Sequence, residues 1–264
     1  MVERKALVTL LIGEELQNFW RTWLERSWRE YAERHGYELV LIEDFIDDSP
    51  LAHEREPHWQ KCLILEHPAV QEFDHAVWID ADILINFRSA PCIVAATENG
   101  KIGVAPGSES PEISEIYTKA ELPGTLQQLV NTGVIVYDVA GDRDFLRSVY
   151  DNGVENEFSM KENVPLSYHI LTSGRAHMLD PRFNVCWDEV LLKHYRYLAN
   201  PQNRHMTALI SLAVTSAWHN SYFLHFQANR IVYETGDAPL MFHTRGDVER
   251  VLIDCEDIGS IVIS

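Results

Sequence analysis

The chain of 264 residues carries 40 acidic and 22 basic side chains, which gives a formal net charge of −18 at pH 7. This excess of negative charge argues against nucleic acid as a main partner. With 46% apolar residues, the length suits one large α/β domain with a substantial core. The four cysteines lie far apart without a Cys-x-x-Cys pattern, so neither a disulfide framework nor a zinc site is indicated.

The sequence also predicts the cellular compartment. The longest stretch without charged residues, 206–221, is too short and too polar to span a bilayer. The N-terminal residues lead into a strand-like segment and not into the leucine-rich segment and cleavage site of a signal peptide. We therefore expect a soluble, cytoplasmic protein without a transmembrane segment.

The predicted elements begin with a β-α-β unit, made of a strand at 5–12, a helix at 14–35 and a strand at 37–43. Two loops are predicted, an acidic one at 44–57 and a long one at 106–123, which has the length of a functional lid. The remaining predicted strands are 75–80, 83–86, 102–105, 131–138, one ending at 179, 222–226, 230–234 and 240–243, and the remaining helices are 58–67, 142–154, 165–172, 187–199 and 204–217.

Two carboxylates, Asp80 and Asp82, stand one residue apart at the end of an apolar strand. In open α/β sheets this end of a strand is where ligands bind. In an extended chain both side chains point to the same face, where they could share one Mg²⁺ or Mn²⁺ with a diphosphate. The structural alternative is that one aspartate caps a turn while the other pairs with Arg88.

Four other polar residues are candidates for the same site. His225 and His243 each follow two apolar residues, so the residues alone leave two candidates for a third metal ligand. Lys61 precedes the Asp pair by 19 residues and could hold a phosphate or sugar hydroxyl, although a solvated helix lysine is the simpler interpretation. Asn131 begins a central strand and could contact hydroxyls, or be only a turn residue.

Together these features resemble the GT-A nucleotide-sugar glycosyltransferases, and among them the retaining branch of glycogenin-like, galactosyltransferase-like and xylosyltransferase-like enzymes. The resemblance covers roughly residues 5–230. It is carried by the β-α-β unit, the Trp-x-Lys at 59–61, the run VWIDADILI, the strand NTGVIVYD and the late HFQANR.

The resemblance implies one α/β domain over residues 1–264, with a GT-A (Rossmann-like) fold. This domain would have a mostly parallel central sheet flanked by helices, and a smaller C-terminal region of helices and strands. Residues 1–138 would form the nucleotide-sugar-binding half, and residues 139–264 the half that binds the acceptor and completes the metal site.

The implied activity is metal-dependent transfer of a hexose or pentose from a nucleotide diphosphate sugar, expected to be a UDP-sugar, to a hydroxyl acceptor with retention. The acceptor would be a saccharide, a lipid-linked glycan or a protein, and the cofactor Mn²⁺ or Mg²⁺. The residues implied are Asp80, Asp82 and His225 for the metal, Asp80 also for the ribose, Thr9, Leu10 and Leu11 for the nucleobase, Lys61 for the donor sugar or diphosphate, and Asn131, Thr132 and Gly133 beneath the donor sugar.

The chain departs from this pattern at two positions. Glu162 and Asn163 stand where an Asp-Gln pair is commoner near the reacting carbon, so they are the candidate catalytic pair. Ala228 occupies a usual glycine position, which leaves Arg230 as the nearest cation for the leaving group, with the pair His243 and Arg245 as the alternative.

Two other functions compete with glycosyl transfer. Haloacid-dehalogenase-like phosphohydrolases also place Asp-x-Asp after an apolar strand and need Mg²⁺, but they expect Thr or Val where this chain has Leu84, and they carry the motif on the first strand. An inactive carbohydrate-binding scaffold would keep the fold without the chemistry, because fold does not determine function. The presence of both aspartates and of His225 argues against such decay.

Overall fold

The computed structural model describes residues 3–186 and 216–225, together with the backbone of 232–235 and 238–241. The strands are β1 Lys5–Leu10, β2 Tyr37–Ile42, β3 His75–Ile79, β4 Ile83–Ile85, β5 Ile102–Glu109, β6 Gln128–Asp138, β7 Ala176–Met178, β8 Val185–Cys186, β9 Phe223–His225, β10 Val232–Thr235 and β11 Ala238–Met241. The α-helices are α1 Glu14–Trp23, α2 Glu25–His35, α3 Pro50–Glu54, α4 Ile113–Lys119, α5 Val139–Asn152 and α6 Asn163–Thr172, and two 3₁₀ helices span Pro57–Glu66 and Pro181–Asn184.

Six strands form the central sheet, in the order β2-β1-β3-β6-β5-β7. β1 is parallel to both β2 and β3, and β5 is parallel to β7. Only β6 runs in the opposite direction within this described sheet, since it pairs antiparallel with β3 and with β5. The prediction of an α/β fold with a mostly parallel central sheet is therefore confirmed.

Alternating side chains place a separate core on each face of the sheet. From β1, Leu7 packs on the face covered by α1 and α2, while Ala6 and Val8 pack on the opposite face, which carries the Pro57–Glu66 helix and α5. The same alternation on β3 and β6 explains why both strands are almost continuously apolar.

A second, smaller sheet adjoins the end of β3. Its three strands lie in the order β4-β9-β8, with β9 antiparallel to β4 and parallel to β8. α2 supports this sheet, because the indole Nε1 of Trp28 donates to the carbonyl oxygen of Ile83 at 2.8 Å. β10 and β11 form a separate antiparallel hairpin.

The helix predicted at 14–35 is present as two consecutive helices that meet at Leu24, whose φ of −113° departs from helical geometry. Hydrogen bonds of 2.9 Å from the Leu24 amide to Trp20 and of 3.2 Å from the Trp28 amide to Leu24 continue the helical pattern through the break. Gly36 ends α2 in the left-handed region with φ 69°, as predicted.

Two further elements differ from the sequence-based expectation. The segment predicted as an α-helix at 58–67 is a 3₁₀ helix, Pro57–Glu66. The acidic loop at 44–57 contains α3, which begins at Pro50 and is capped by the Ser49 hydroxyl. The bounds of the other predicted elements agree to within a few residues where the structure describes them, whereas the helix at 187–199 and most of that at 204–217 lie outside the described residues.

The prediction of a lid loop at 106–123 is wrong. β5 continues to Glu109, and α4 follows it. Ile113 and Tyr117 lie on one face of α4 and pack with Leu129 and Val164 in a small core of their own. The apolar residues have helical spacing here, but the intervening Ser, Glu and Pro residues obscured it.

Candidate active site

The two aspartates lie in the connection between the two sheets. β3 ends at Ile79, and β4 of the small sheet begins at Ile83. A turn closed by a 3.1 Å hydrogen bond from the Ile83 amide to the carbonyl oxygen of Asp80 joins them. The carboxylates therefore converge through a turn, and not through the extended conformation expected from the sequence. They lie at the carboxyl end of β3, as predicted.

β9 brings His225 to this turn, because His225 is the register partner of Ile83. The Nδ1 of His225 lies 3.5 Å from Oδ1 of Asp82. One ligand atom each from Asp80, Asp82 and His225 can be chosen so that all three lie within 4.8 Å of one another. The structure thus brings together the three residues proposed from the sequence as metal ligands, whereas His243 lies outside the described residues.

This trio fits a divalent cation. Oδ1 of Asp82 and Nε2 of His225 are buried, and neither has a hydrogen-bond partner in the described part of the chain. Buried polar atoms are normally satisfied, so two unsatisfied ligand atoms at one point indicate a missing partner. Two carboxylates and one imidazole suit Mn²⁺ or Mg²⁺. Arg88 lies over the ring of Phe87, 5.6 Å from its centroid, and pairs with neither aspartate among the described ion pairs.

Gly133 on β6 lets the side chains of His225 and Asp80 approach its backbone closely. A Cβ at this position would overlap Nε2 of His225, and it would lie only 2.8 Å from Cε1 of the same ring and 3.1 Å from Oδ2 of Asp80. The Gly133 carbonyl also accepts a 2.8 Å hydrogen bond from the Asp80 amide, which fixes β6 against the turn. The missing side chain of Gly133 is therefore part of the geometry of the site.

Lys61 lies behind the trio and is almost completely buried. Its Nζ is 2.6 Å from Oε1 of Glu162 and 3.1 Å from Oδ1 of Asp80, and it donates to the carbonyl oxygen of Thr132 at 3.2 Å. The side chains of Lys61 and Glu162 are each 3% exposed. Burial lowers the pKa of Lys61, but Asp80 and Glu162 outweigh burial and raise this pKa above its ordinary value.

Asp80 is held ionised by its neighbours. Burial raises the pKa of this carboxyl, but Lys61 and His225 outweigh burial and lower the pKa below its ordinary value. The indole Nε1 of Trp78, two residues earlier, donates to Oδ1 of Asp80 at 2.8 Å. Burial lowers the pKa of the His225 imidazole, but Asp82 and Asp80 outweigh burial, so this pKa lies above its ordinary value.

The candidate catalytic pair lies at the start of α6. Glu162 is bound to Lys61 through Oε1, while its buried Oε2 has no hydrogen-bond partner among the described residues. The Oδ1 of Asn163 accepts hydrogen bonds from the hydroxyl of Thr132 at 2.6 Å and from its amide at 3.3 Å. Asn163 therefore contacts the segment of β6 that carries Gly133 directly, and Glu162 is connected to it through Lys61, which donates to the Thr132 carbonyl.

The two residues before this pair adopt an unusual backbone conformation. Met160 has φ 48° and Lys161 has φ 63°, a region that residues with a Cβ seldom occupy. Lys161 Nζ lies 2.9 Å from Nε2 of His58, at the exposed edge of the site. Sequence reasoning missed this turn, because neither residue is Gly or Asn.

Asn131 lies inside β6 and does not begin it, because the strand starts at Gln128. The contacts proposed for Asn131 and for the end of β1 stay predictions. The Oδ1 of Asn131 accepts from the amide of Gly133 at 3.0 Å, and its Nδ2 donates to Sγ of Cys186 at 3.5 Å. Thr9 and Leu11 are fully buried at the end of β1, and Leu10 nearly so. The hydroxyl of Thr9 has no hydrogen-bond partner within the described residues.

Several predicted site residues cannot be located. Arg230, His243 and Arg245 all lie outside the described residues. Among the residues that the sequence did not single out, Trp78 had a recognisable signal, since an indole two residues before Asp80 on a strand shares its face.

Comparison with solved structures identifies the fold. A glycosyltransferase involved in the glycosylation of the major capsid of PBCV-1 is similar over 95% of this chain and 99% of its own, with 15% identity and a TM-score of 0.55. The bifunctional glycosyltransferase WbbM is similar over 96% of this chain, with 11% identity and a TM-score of 0.50. This chain spans 50% of WbbM. The galactosyltransferase LgtC gives a TM-score of 0.49 at 10% identity, over 94% of this chain and 95% of its own.

At these identities the similarity establishes the fold and nothing finer. The chain has the GT-A-like, Rossmann-like fold of glycosyltransferases, with a six-stranded central sheet flanked by helices. Its sequence matches no protein-family model and no curated protein. Within the described residues, no helix combines the length and the apolar composition that crossing a membrane requires.

Proposed function

We propose that this protein is a metal-dependent glycosyltransferase that moves a hexose or pentose from a nucleotide diphosphate sugar to a hydroxyl acceptor. The observation that carries the proposal is the convergence of Asp80, Asp82 and His225 at the carboxyl end of β3 in a glycosyltransferase fold. Oδ1 of Asp82 and Nε2 of His225, which have no hydrogen-bond partner among the described residues, support a cation there. The phosphohydrolase alternative expects the motif on the first strand, whereas here it follows β3.

The proposed division of labour follows from the positions of the side chains. Asp80, Asp82 and His225 would hold Mn²⁺ or Mg²⁺, and Asp80 would also approach the ribose. When bound, such a cation supplies Lewis-acid stabilisation of a diphosphate leaving group. Arg230 is the proposed counter-charge for the same group. We assign the nucleobase to the end of β1, where the unpartnered Thr9 hydroxyl lies beside Leu10 and Leu11.

Glu162 and Asn163 are proposed to face the donor sugar, with Asn131 beneath it. Positive charge develops on the sugar ring as its bond to the diphosphate breaks. The free Oε2 of Glu162 is buried, so its negative charge is screened little by water and can stabilise that transition state. The side-chain oxygen of Asn163 accepts from the Thr132 hydroxyl, so Nδ2 of Asn163 is the atom proposed to donate to a sugar hydroxyl.

Three finer features rest on the sequence resemblance alone. We propose UDP as the nucleotide, retention of the anomeric configuration, and a saccharide, a lipid-linked glycan or a protein as the acceptor. The halves 1–138 and 139–264 are likewise proposed as the nucleotide-sugar-binding part and the acceptor-side, metal-completing part. The cytoplasmic location stays a prediction.

Calorimetric titration of UDP, and then of GDP, with and without Mn²⁺ tests the donor site. We expect binding of UDP that depends on Mn²⁺ and is lost in Asp82→Ala. The matched control is Asp144→Ala, because Asp144 is an exposed aspartate on α5. Equal, weak heats for both nucleotides under every condition would refute the proposal.

A donor and acceptor screen follows once a nucleotide binds. We expect release of the nucleotide to depend on both the metal and the acceptor. The anomeric configuration of the product, read from its proton NMR couplings, decides whether the reaction proceeds with retention. Metal-dependent binding without turnover of any donor would favour the inactive scaffold instead.

A further inference from the structure

Lys61 forms ion pairs with both the metal-site carboxylate Asp80 and the candidate catalytic carboxylate Glu162. Lys61 and Glu162 are 101 positions apart in the sequence, and their atoms are only 2.6 Å apart in the fold. An ammonium group has three N–H donors, and Nζ of Lys61 has three oxygens within 3.2 Å, from Glu162, Asp80 and Thr132. A direct contact with a donor diphosphate would require one of these interactions to break.

Each of the two carboxylates is held by one oxygen and leaves the other oxygen available. Asp80 uses Oδ1 for Lys61 and for the Trp78 indole, while its Oδ2 lies on the side of Gly133 and His225. Glu162 uses Oε1 for Lys61 and leaves the buried Oε2 unpartnered among the described residues. Lys61 therefore determines which oxygen of each carboxylate faces the site.

The charges at the site explain why a buried lysine is needed. Asp80, Asp82 and Glu162 bring three negative charges, and Lys61 balances one of them, so a divalent cation neutralises the remainder. Without Lys61, Glu162 would be an isolated buried carboxylate, which is strongly unfavourable in its ionised form.

We propose that Lys61 is a positioning residue, which fixes Asp80 and Glu162 relative to each other and couples cation binding to the charge of Glu162, without itself binding the donor. This inference rests on the proposed function, and it changes the role expected for Lys61 from a donor contact to an internal counter-ion. Removal of Lys61 should therefore weaken metal binding and turnover, and leave nucleotide affinity unchanged once the metal site is saturated.

A double-mutant cycle on Mn²⁺ affinity, measured by calorimetry without any donor, tests the coupling. Loss of a residue that orients a metal ligand typically weakens binding by about 10-fold to 100-fold. We expect about 10-fold weaker Mn²⁺ binding in Lys61→Met. We expect a similar loss in Glu162→Gln, because the uncharged amide no longer balances the positive charge of Lys61, which then repels the cation. In the double variant we expect no more than the loss of Lys61→Met alone, because both substitutions disrupt the same Lys61–Glu162 ion pair. Losses that multiply would overturn the proposal.

Nucleotide binding and kinetics separate the two roles of Lys61. At saturating Mn²⁺, a positioning residue leaves the UDP affinity of Lys61→Met within about twofold of wild type, and kcat falls more than KM rises. A loss of UDP affinity of about 10-fold or more at saturating Mn²⁺ would show a direct diphosphate contact, and the proposal would then be wrong.

Two matched controls are available on exposed side chains. Lys119→Met makes the same change as Lys61→Met on the exposed side of α4, and Glu157→Gln makes the same change as Glu162→Gln. Both should bind Mn²⁺ as wild type does. If Lys61→Met fails to fold, Lys61→Gln replaces it. Mn²⁺ binding by Glu162→Gln equal to that by Glu157→Gln would refute the coupling.

The outcomes also distinguish this inference from the proposed function. A wild-type protein that binds no Mn²⁺ overturns both. A wild-type protein that binds Mn²⁺ and transfers sugar, with a Lys61→Met variant that does both equally well, overturns only the role of Lys61.

Discussion

Substitution of Gly133 by alanine tests the cation site without changing any proposed ligand. The new Cβ would overlap Nε2 of His225 and would lie 2.8 Å from its Cε1, where carbon atoms normally stay about 3.5–4.0 Å apart. The imidazole must therefore retreat by about 1 Å. Metal–ligand distances tolerate only about 0.2 Å, so the ring is lost as a ligand.

The expected loss is large and specific to the metal. Loss of an orienting partner alone costs about 10-fold to 100-fold in metal affinity, so loss of a ligand should cost at least about 100-fold, or ~2.7 kcal/mol. Overpacking a site costs about 1–3 kcal/mol of folding stability.

Calorimetric Mn²⁺ titration and thermal unfolding of the metal-free protein measure the two effects. Gly141→Ala is the control, since its Cβ would meet only the side chain of Asp138, 3.0 Å away. Adding His225→Ala to Gly133→Ala should cause little additional loss, because both act through the same ring. A folded Gly133→Ala protein that binds Mn²⁺ within twofold of wild type would refute the location of the site.

Three further predictions concern pH, backbone strain and the core. The raised pKa of His225 keeps the metal-free imidazole protonated to a higher pH than free histidine. The contribution of the protonated ring to folding stability is therefore lost as pH rises through that pKa. Mn²⁺ binding needs the neutral ring, so it strengthens over the same pH range. Calorimetry in buffers of different ionisation enthalpy should show proton release on Mn²⁺ binding, and no release near neutral pH would contradict this. Met160→Gly should stabilise the fold by about 1 kcal/mol in thermal unfolding, because glycine adopts φ 48° without strain; a destabilised variant would show that the exposed side chain matters more. Ser167→Ala should destabilise by about 1–3 kcal/mol in urea unfolding, since its buried hydroxyl accepts from the Val130 amide at 2.9 Å; an unchanged midpoint would mean that another group satisfies this amide.

Much of the fold follows from local patterns in the sequence. The apolar strand at 5–10, the amphipathic helical segment at 14–35 and the glycine that ends it are each visible within a few residues. The Asp pair was recognisable because two charges interrupt a buried strand.

The remaining features of the site depend on contacts between distant parts of the chain. Glu162 neutralises Lys61 across 101 positions, and no local pattern marks that pair. Gly133 matters only because His225, on another sheet, approaches its backbone. Met160 and Lys161 have positive φ without the residue types that favour it, so tertiary contacts must impose the turn.

The position of the proposed ligands on two separate sheets has a consequence for local unfolding. Asp80 follows β3 of the central sheet, while His225 ends β9 of the small sheet, so a cation held by both would cross-link the sheets. A ligand present at 100 times its dissociation constant stabilises the state that binds it by about 2.7 kcal/mol. Opening of β9 would then require release of the cation, and amide hydrogen exchange in β4 and β9 would slow as Mn²⁺ is added.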